Sequence, residues 1–241
     1  MPRIVFLAVD DEFAGAMQQT VFARRPEWVV GSLISAHAIY KKPAPVAAWF
    51  VYRKSGFRYL AEMFRMKIVR RLTPSRRPLA TPKSLAEAHG VRTFVSANIN
   101  QPDSLAFLEG CQPDVVISTN FSHYIGKAAR SVARAGTWNL HKSYLPHYRG
   151  MAPSFYALLE GCENVGVTLH VVEDGFDTGA IVVQRQVPVL PEDSVYSLNQ
   201  RTSAVGGEML ADFLESNELS QVRLTPQPAG EWRSYTYPSP S

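Results

Sequence analysis

The 241-residue sequence contains only two cysteines, Cys111 and Cys162, too few for a disulfide framework or a thiolate metal cluster. Both read as small buried hydrophobes. No apolar run approaches the roughly 20 residues of a membrane span, and Met1-Pro2-Arg3-Ile4-Val5 opens directly into a strand without a signal-peptide pattern. The expectation is a cytoplasmic protein with no transmembrane segment. Glycine is missing from the turn after the first strand, where Asp10-Asp11-Glu12 stands instead. A phosphate cradle needs close backbone N–H groups there, not carboxylates, which argues against a dinucleotide site. No His, Cys and Asp grouping has metal-ligand spacing, and no metal is expected. Acidic residues are scarce in one segment: between Arg53 and Arg77 lie nine of the 25 Lys and Arg residues, with Glu62 the sole acid. The net charge of +4 therefore belongs to that segment.

What is present is ordinary for one enzyme domain, with 46% hydrophobic and 19% charged residues. Residues 3–9 form an unbroken apolar run, as expected of a strand buried on both faces, and Asp10-Asp11-Glu12 can start a helix reaching Ala23. Further strands are predicted at 28–34, 91–95, 114–118, 166–172 and 181–189. Helices are predicted at 82–89, 102–108 and 193–214, and residues 37–55 read as loop. This alternation predicts an α/β fold, an open, mostly parallel twisted sheet with helices on both faces, whose ligands bind at the carboxyl ends of the strands. One domain spans 1–215. A polar, Pro-rich extension, 216–241, carries Trp232, Tyr235 and Tyr237, able to fold back over the sheet or an acceptor pocket.

Residues 56–72 place Phe57, Leu60, Phe64, Ile68 and Leu72 at helical spacing, opposed by Arg58, Arg65 and Arg70. The reading is a helix that buries its apolar residues against the sheet and exposes a basic face. That face suits an anionic lipid surface, an RNA backbone or an acidic carrier protein.

The chemistry concentrates in residues 136–150. In an extended segment Asn139 and His141 point the same way, while Trp138 and Leu140 point into the core. The following segment, where Pro146 and Gly150 stop regular structure, carries Tyr144, His147, Tyr148 and Arg149. A second element, Glu173-Asp174-Gly175-Phe176-Asp177-Thr178-Gly179, is a turn whose glycines deliver Asp177 towards the sheet. An amide, an imidazole and a carboxylate brought together suit nucleophilic attack on a carbonyl, stabilising the oxyanion and managing the surplus proton. By contrast, His170 reads as mid-strand packing and His123 as a solvated helix-start residue.

The elements Asn139-Leu140-His141-x-Ser143-x-Leu145-Pro146-x-x-Arg149-Gly150, Gly166-Val167-Thr168 and Asp177-Thr178-Gly179 resemble the signature of the folate-dependent formyltransferases. This family includes enzymes that formylate glycinamide ribonucleotide, methionyl-tRNA and nucleotide-linked amino sugars, and is related to formyltetrahydrofolate hydrolase. The resemblance is specific over residues 115–189. It implies a Rossmann-like sheet, Asn139, His141 and Asp177 as catalytic residues, and 10-formyltetrahydrofolate as co-substrate. It also implies a folate pocket in which Phe121 and Tyr124 form apolar walls, the Ile125 backbone binds the pterin, and Glu173 and Asp174 lie on the facing loop. Asp10, Ser143, Tyr148 and Arg149 are candidate acceptor-binding residues.

Lys142, where the family has a small residue or Pro, and the acidic first turn both depart from the pattern and leave the acceptor open. The first choice is a nucleotide-linked amino sugar or another small amine. The alternatives are an amino acid on tRNA or a carrier protein, hydrolysis of the same folate, or a non-catalytic binding module. The extension is too short for the barrel-like carboxyl-terminal domain of the methionyl-tRNA enzymes. A homo-oligomer is compatible with the sequence.

Overall fold

A computed structural model describes residues 1–37, 42–72 and 80–238. Its elements run β1 (Ile4–Val9), α1 (Glu12–Arg24), β2 (Val29–Ser35), α2 (Ala44–Leu72), α3 (Pro82–Ala88), β3 (Thr93–Ser96), α4 (Pro102–Cys111), β4 (Val115–Thr119) and α5 (Lys127–Arg130). They continue with β5 (Thr137–His141), β6 (Arg149–Gly150), α6 (Pro153–Leu159), β7 (Asn164–Val171), β8 (Ile181–Pro188), α7 (Val195–Ser216) and β9 (Ser234–Tyr235). Seven strands form one sheet in the order β3-β2-β1-β4-β5-β7-β8. The first five pair in parallel, and β7 and β8 complete the sheet antiparallel.

Alternation along β1 divides the core. Ile4 and Phe6 join Ile117, Trp138 and Leu140 beneath α1 and α7, whereas Val5 and Leu7 join Leu33 and Val116 beneath α4 and α5. A strand covered on both faces is apolar at every position, which is what the run at residues 3–9 encodes. Local signals begin the helices. Asp11 accepts the Ala14 N–H at 2.8 Å and caps α1, Thr81 and Ser84 form a capping box on α3, and Ser194 and Ser197 form another on α7.

The region before α3 departs from expectation. The stretch at 44–55, read as loop, is helical, because Pro43 and Pro45 stand at the start of α2, where a missing N–H costs nothing. Gly56, at φ +77°, then interrupts the helix. Beyond it Phe57 and Phe64 are exposed rather than buried. The interruption uncouples the second half from the first, which Val51 and Ser55 anchor to the protein. The side chains of Leu60, Ile68, Leu72, Arg58, Arg65 and Arg70 lie outside those described. Two short helices, α5 and α6, had no strong periodic signal at their lengths.

The helices α1 and α7 touch at glycine. A Cβ on Gly207 would lie 2.5 Å from the Ala16 carbonyl oxygen, whereas one on Gly110, in α4, would meet open space. Gly207→Ala should therefore destabilise the fold by about 1–3 kcal/mol through overpacking. Gly110→Ala should stabilise it by about 0.4–1 kcal/mol through the unfolded chain. Denaturant unfolding of both variants checks the contrast.

Candidate active site

Strand β5 holds Asn139 and His141 on one face while Trp138 and Leu140, each 2% exposed, anchor it in the core. Here the sheet changes direction. Because β7 pairs antiparallel, Asn139 lies directly opposite His170, and facing residues in such a pair share a face. His170 thereby joins the site, with Nε2 3.2 Å from Asn139 Nδ2. It is buried, as mid-strand packing would require, but its polar edge is turned to this cluster.

The turn at residues 172–180 brings in Asp177. Gly179 is needed because a Cβ there would fall 1.9 Å from the Val171 carbonyl oxygen, and Asp177 itself adopts φ +52°. Its Oδ2 accepts the Gly150 N–H at 2.7 Å and lies 3.6 Å from His141 Nδ1. Its Oδ1 lies 3.4 Å from both Asn139 Nδ2 and His170 Nε2. His141 Nε2 donates to the Tyr148 carbonyl at 3.0 Å, and His170 Nδ1 donates to the Val171 carbonyl at 2.9 Å. The His170 Nε2 thereby faces both the Asn139 amide and Asp177 Oδ1.

Burial pushes the Asp177 carboxyl up. The charge of His141, the hydrogen bond and charge of His170 and the Gly150 N–H together outweigh it and hold the group well below the usual carboxylate range. Burial lowers the His141 pKa against the opposing pull of Asp177 and the Tyr148 carbonyl. The resting site thus pairs an ionised carboxylate with an imidazole that is neutral near pH 7 and whose protonated form the carboxylate would stabilise.

The two loops expected to bind folate are adjacent. Asp174 pairs with Arg130 and accepts from the Tyr124 hydroxyl at 3.5 Å, and Phe121, Ile125 and Val172 belong to one apolar cluster. Tyr124 is exposed, Phe121 half-buried and Ile125 buried, and Glu173 packs beside Gly179. His123 is buried rather than solvated: it accepts the Ile99 N–H on Nδ1 at 3.1 Å and meets Ser35 Oγ through Nε2 at 2.7 Å. A buried ring with two such partners pins the loop to the ends of β2 and β3.

The candidate acceptor residues are engaged within the fold. Asp10 Oδ1 accepts the Lys83 N–H at 3.1 Å, and the buried Ser143 hydroxyl donates to the His147 carbonyl at 2.8 Å. Tyr148 donates its hydroxyl to Glu160 at 2.7 Å, and Arg149 donates to Gln227 Oε1 at 2.6 and 3.2 Å. Gln227 was not signalled by the sequence motifs. Its Nε2 donates to the carbonyls of Asp177 and Gly179, both at 2.8 Å, and so clamps the turn that carries the carboxylate. The carboxyl-terminal aromatics do fold back: β9 pairs with β6, Tyr235 packs on Tyr148 and Tyr156, and Trp232 meets His147. Among the described residues no group of three or more His, Cys, Asp or Glu could hold a metal ion, and no helix is long and apolar enough to cross a membrane.

The open α/β sheet thus carries an amide, two imidazoles and a part-buried carboxylate together at its β5–β7 seam. The chain belongs to the formyl transferase family, whose model matches residues 67–214. It is 34% identical over 153 residues to the methionyl-tRNA formyltransferase of Thermotoga maritima, covering 63% of this chain and 49% of the relative. It is 32% identical over 145 residues to that of Citrifermentans bemidjiense, covering 60% and 45%. The chain spans about half the length of the curated relatives it matches. In fold it is similar to phosphoribosylglycinamide formyltransferase from Streptococcus pneumoniae, with TM-score 0.62, 18% identity and coverage of 90% and 98%. It is also similar to a sugar N-formyltransferase from a Shewanella species, with TM-score 0.58, 18% identity and coverage of 96% and 76%.

Burial holds the His123 pKa at about 4, below the ordinary 6.5, with the nearby His37 acting in the same direction. Between these values the unfolded chain binds the proton and the folded one does not, so stability should fall as pH drops from 6.5 towards 4. His123→Gln should reduce that slope by about one proton, about 1.4 kcal/mol per pH unit at most. Urea unfolding at several pH values measures it.

Proposed function

We propose that this protein transfers a formyl group from 10-formyltetrahydrofolate to a primary amine. The observation that carries the reading is the convergence of Asn139, His141, His170 and Asp177, every contact to the carboxylate lying within 3.6 Å. The folate lies across the adjoining loops at 121–126 and 172–177, with Phe121, Tyr124, Ile125, Glu173 and Asp174 around the pterin. The reactive centre belongs to residues 1–215, with Gln227 of the extension bracing it.

The amine attacks the formyl carbon, and the carbonyl oxygen becomes an oxyanion. Asn139 Nδ2–H donates to that oxygen, an interaction that strengthens as charge develops. His141, neutral at rest, acquires the proton that the attacking nitrogen sheds, and the imidazolium so formed is held by Asp177. With its pKa so depressed, Asp177 acts chiefly as the fixed counter-charge, and direct proton acceptance is secondary. His170 orients the Asn139 amide. Collapse of the tetrahedral adduct re-forms the carbonyl on the acceptor nitrogen, and the breaking C–N bond expels the folate nitrogen, which takes up a proton to give tetrahydrofolate.

The acceptor is a nucleotide-linked amino sugar or another small amine, a reading supported by the aromatic tail beside the Asp177 cluster, where β9 pairs with β6 and Tyr235 packs on Tyr148. A second reading, an amino acid carried on tRNA, is favoured by the methionyl-tRNA formyltransferases among its sequence relatives. A panel of both acceptor kinds, followed by tetrahydrofolate release, separates them.

Removing one oxyanion donor typically costs about 100- to 1000-fold in turnover. Asn139→Ala should slow single-turnover transfer by about that factor, and His141→Ala, which removes the proton acceptor, by about 100- to 10,000-fold, while folate affinity changes little. Asp177→Asn should be at least as slow, since the imidazolium loses its counter-charge. Wild-type rates in His141→Ala or Asp177→Asn would refute the assignment. Folate should also protect the amides of residues 121–126 and 172–177 from hydrogen exchange, and protection confined to the turn at Asp10 would put the cofactor elsewhere.

A further inference from the structure

Helix α2 turns several large apolar side chains away from the protein. Val51 and Ser55, four residues apart, are buried, whereas Val46, Trp49 and Arg53, at spacings of three and four, occupy the opposite face and are exposed. Trp49 is 59% exposed, and its ring lies 5.4 Å from that of Tyr52, itself exposed. Past the break at Gly56, Phe57 is 71% and Phe64 52% exposed. Five large apolar or aromatic side chains on one element thus stand in water, a surface that soluble monomers seldom maintain without a partner. Arg53 and Lys54 are exposed among them, and the sequence from 53 to 77 adds seven more basic residues against the single acid Glu62.

We propose that α2 is a docking element for an anionic phospholipid bilayer, lying in the plane of the interface with Trp49, Phe57 and Phe64 among the headgroups. Aromatic and aliphatic side chains interleaved with Lys and Arg match a surface that is apolar below and negatively charged above. An RNA backbone would use the cations but gives no reason for Val46, Phe57 and Phe64 to face solvent. Among the described residues no helix has the length and apolarity to span a membrane, so the element lies on the surface. The docked face is connected to the site: Phe50 of α2 meets Tyr237 at 5.6 Å, in the same tail whose Gln227 clamps the Asp177 turn. The bilayer would therefore bear on the element that braces the reactive carboxylate.

Vesicle flotation of the full chain tests this without reference to formyl transfer. Vesicles of phosphatidylcholine containing phosphatidylglycerol should bind the protein at least about tenfold better than phosphatidylcholine alone, with the difference shrinking in high salt. Trp49→Ala and Phe57→Ala should each reduce partitioning by about tenfold or more, as expected for withdrawing a large apolar side chain from the interface. Arg53→Gln with Lys54→Gln should weaken binding only to the charged vesicles. These positions are exposed, so circular dichroism and thermal melting should match the parent protein. Equal binding to both vesicle types, or Trp49→Ala and Phe57→Ala binding like the parent, would overturn the proposal. So would retention on poly(U) RNA without vesicle binding, or a dimer that Trp49→Ala dissociates in a protein that ignores vesicles.

Discussion

The site depends on keeping one carboxylate ionised in a place where water is largely excluded. Removing an isolated charge from water costs several kcal/mol even after relaxation, so Asp177 requires compensating partners on both oxygens. Those partners come from three separate parts of the chain: Gly150 N–H from β6, His141 and Asn139 from β5, and His170 from β7. Each is delivered by backbone geometry rather than by a flexible side chain reaching across solvent. The strand pairing, the cross-strand register and the left-handed conformation of Asp177 are consequently one coupled requirement, and loosening any of them would leave a buried charge with too few contacts.

That coupling also accounts for the position of the site within the sheet. In the parallel half, β1 to β5, successive carboxyl ends point to the same edge, the edge at which open α/β sheets generally bind ligands. A purely parallel sheet would bring only strand ends together. The antiparallel β7 instead lays the body of a strand beside Asn139 and His141, putting Leu169 and Thr168 opposite Leu140 and His141, and His170 opposite Asn139. The change of strand direction is thus what lets a second imidazole enter the cluster. It also lets the chain turn back through residues 172–180 so that a carboxylate meets the same face.

Much of this was legible in the sequence because its signals are local. The apolar run of β1, the caps of α1 and α3, and the alternation Trp138-Asn139-Leu140-His141 each depend on neighbours a few residues away. His170 was not legible as a site residue, since its place follows from strand register, which is set by packing and by the length of the intervening loop. The burial of His123 likewise depends on Ser35 and Ile99, separated from it by 88 and 24 positions. The orientation of α2 failed for a different reason. Helical spacing identifies an apolar face but cannot say whether that face is turned to the core or to an external surface, and residues 44–55, ahead of the break at Gly56, have no clean period to mark them as helix. Gln227 gave no motif at all, because its contribution is a set of hydrogen bonds to backbone carbonyls that any turn would present.

The tail completes the physical picture. A residue held at positive φ is strained unless its surroundings over-determine it. The Asp177 turn is fixed from inside by the Gly179 approach to Val171 and from outside by Gln227, which grips the carbonyls of both Asp177 and Gly179. Gln227 is in turn oriented by Arg149, adjacent to the Gly150 whose N–H holds the carboxylate. Strand β6 therefore meets Asp177 twice, once through its own backbone and once through the tail, and it is also the strand that β9 pairs with. Two independent grips on one short turn convert a conformation that would otherwise be sampled only in part into the one in which the carboxylate faces both imidazoles. The carboxyl-terminal segment is on this account a structural support of the Asp177 cluster.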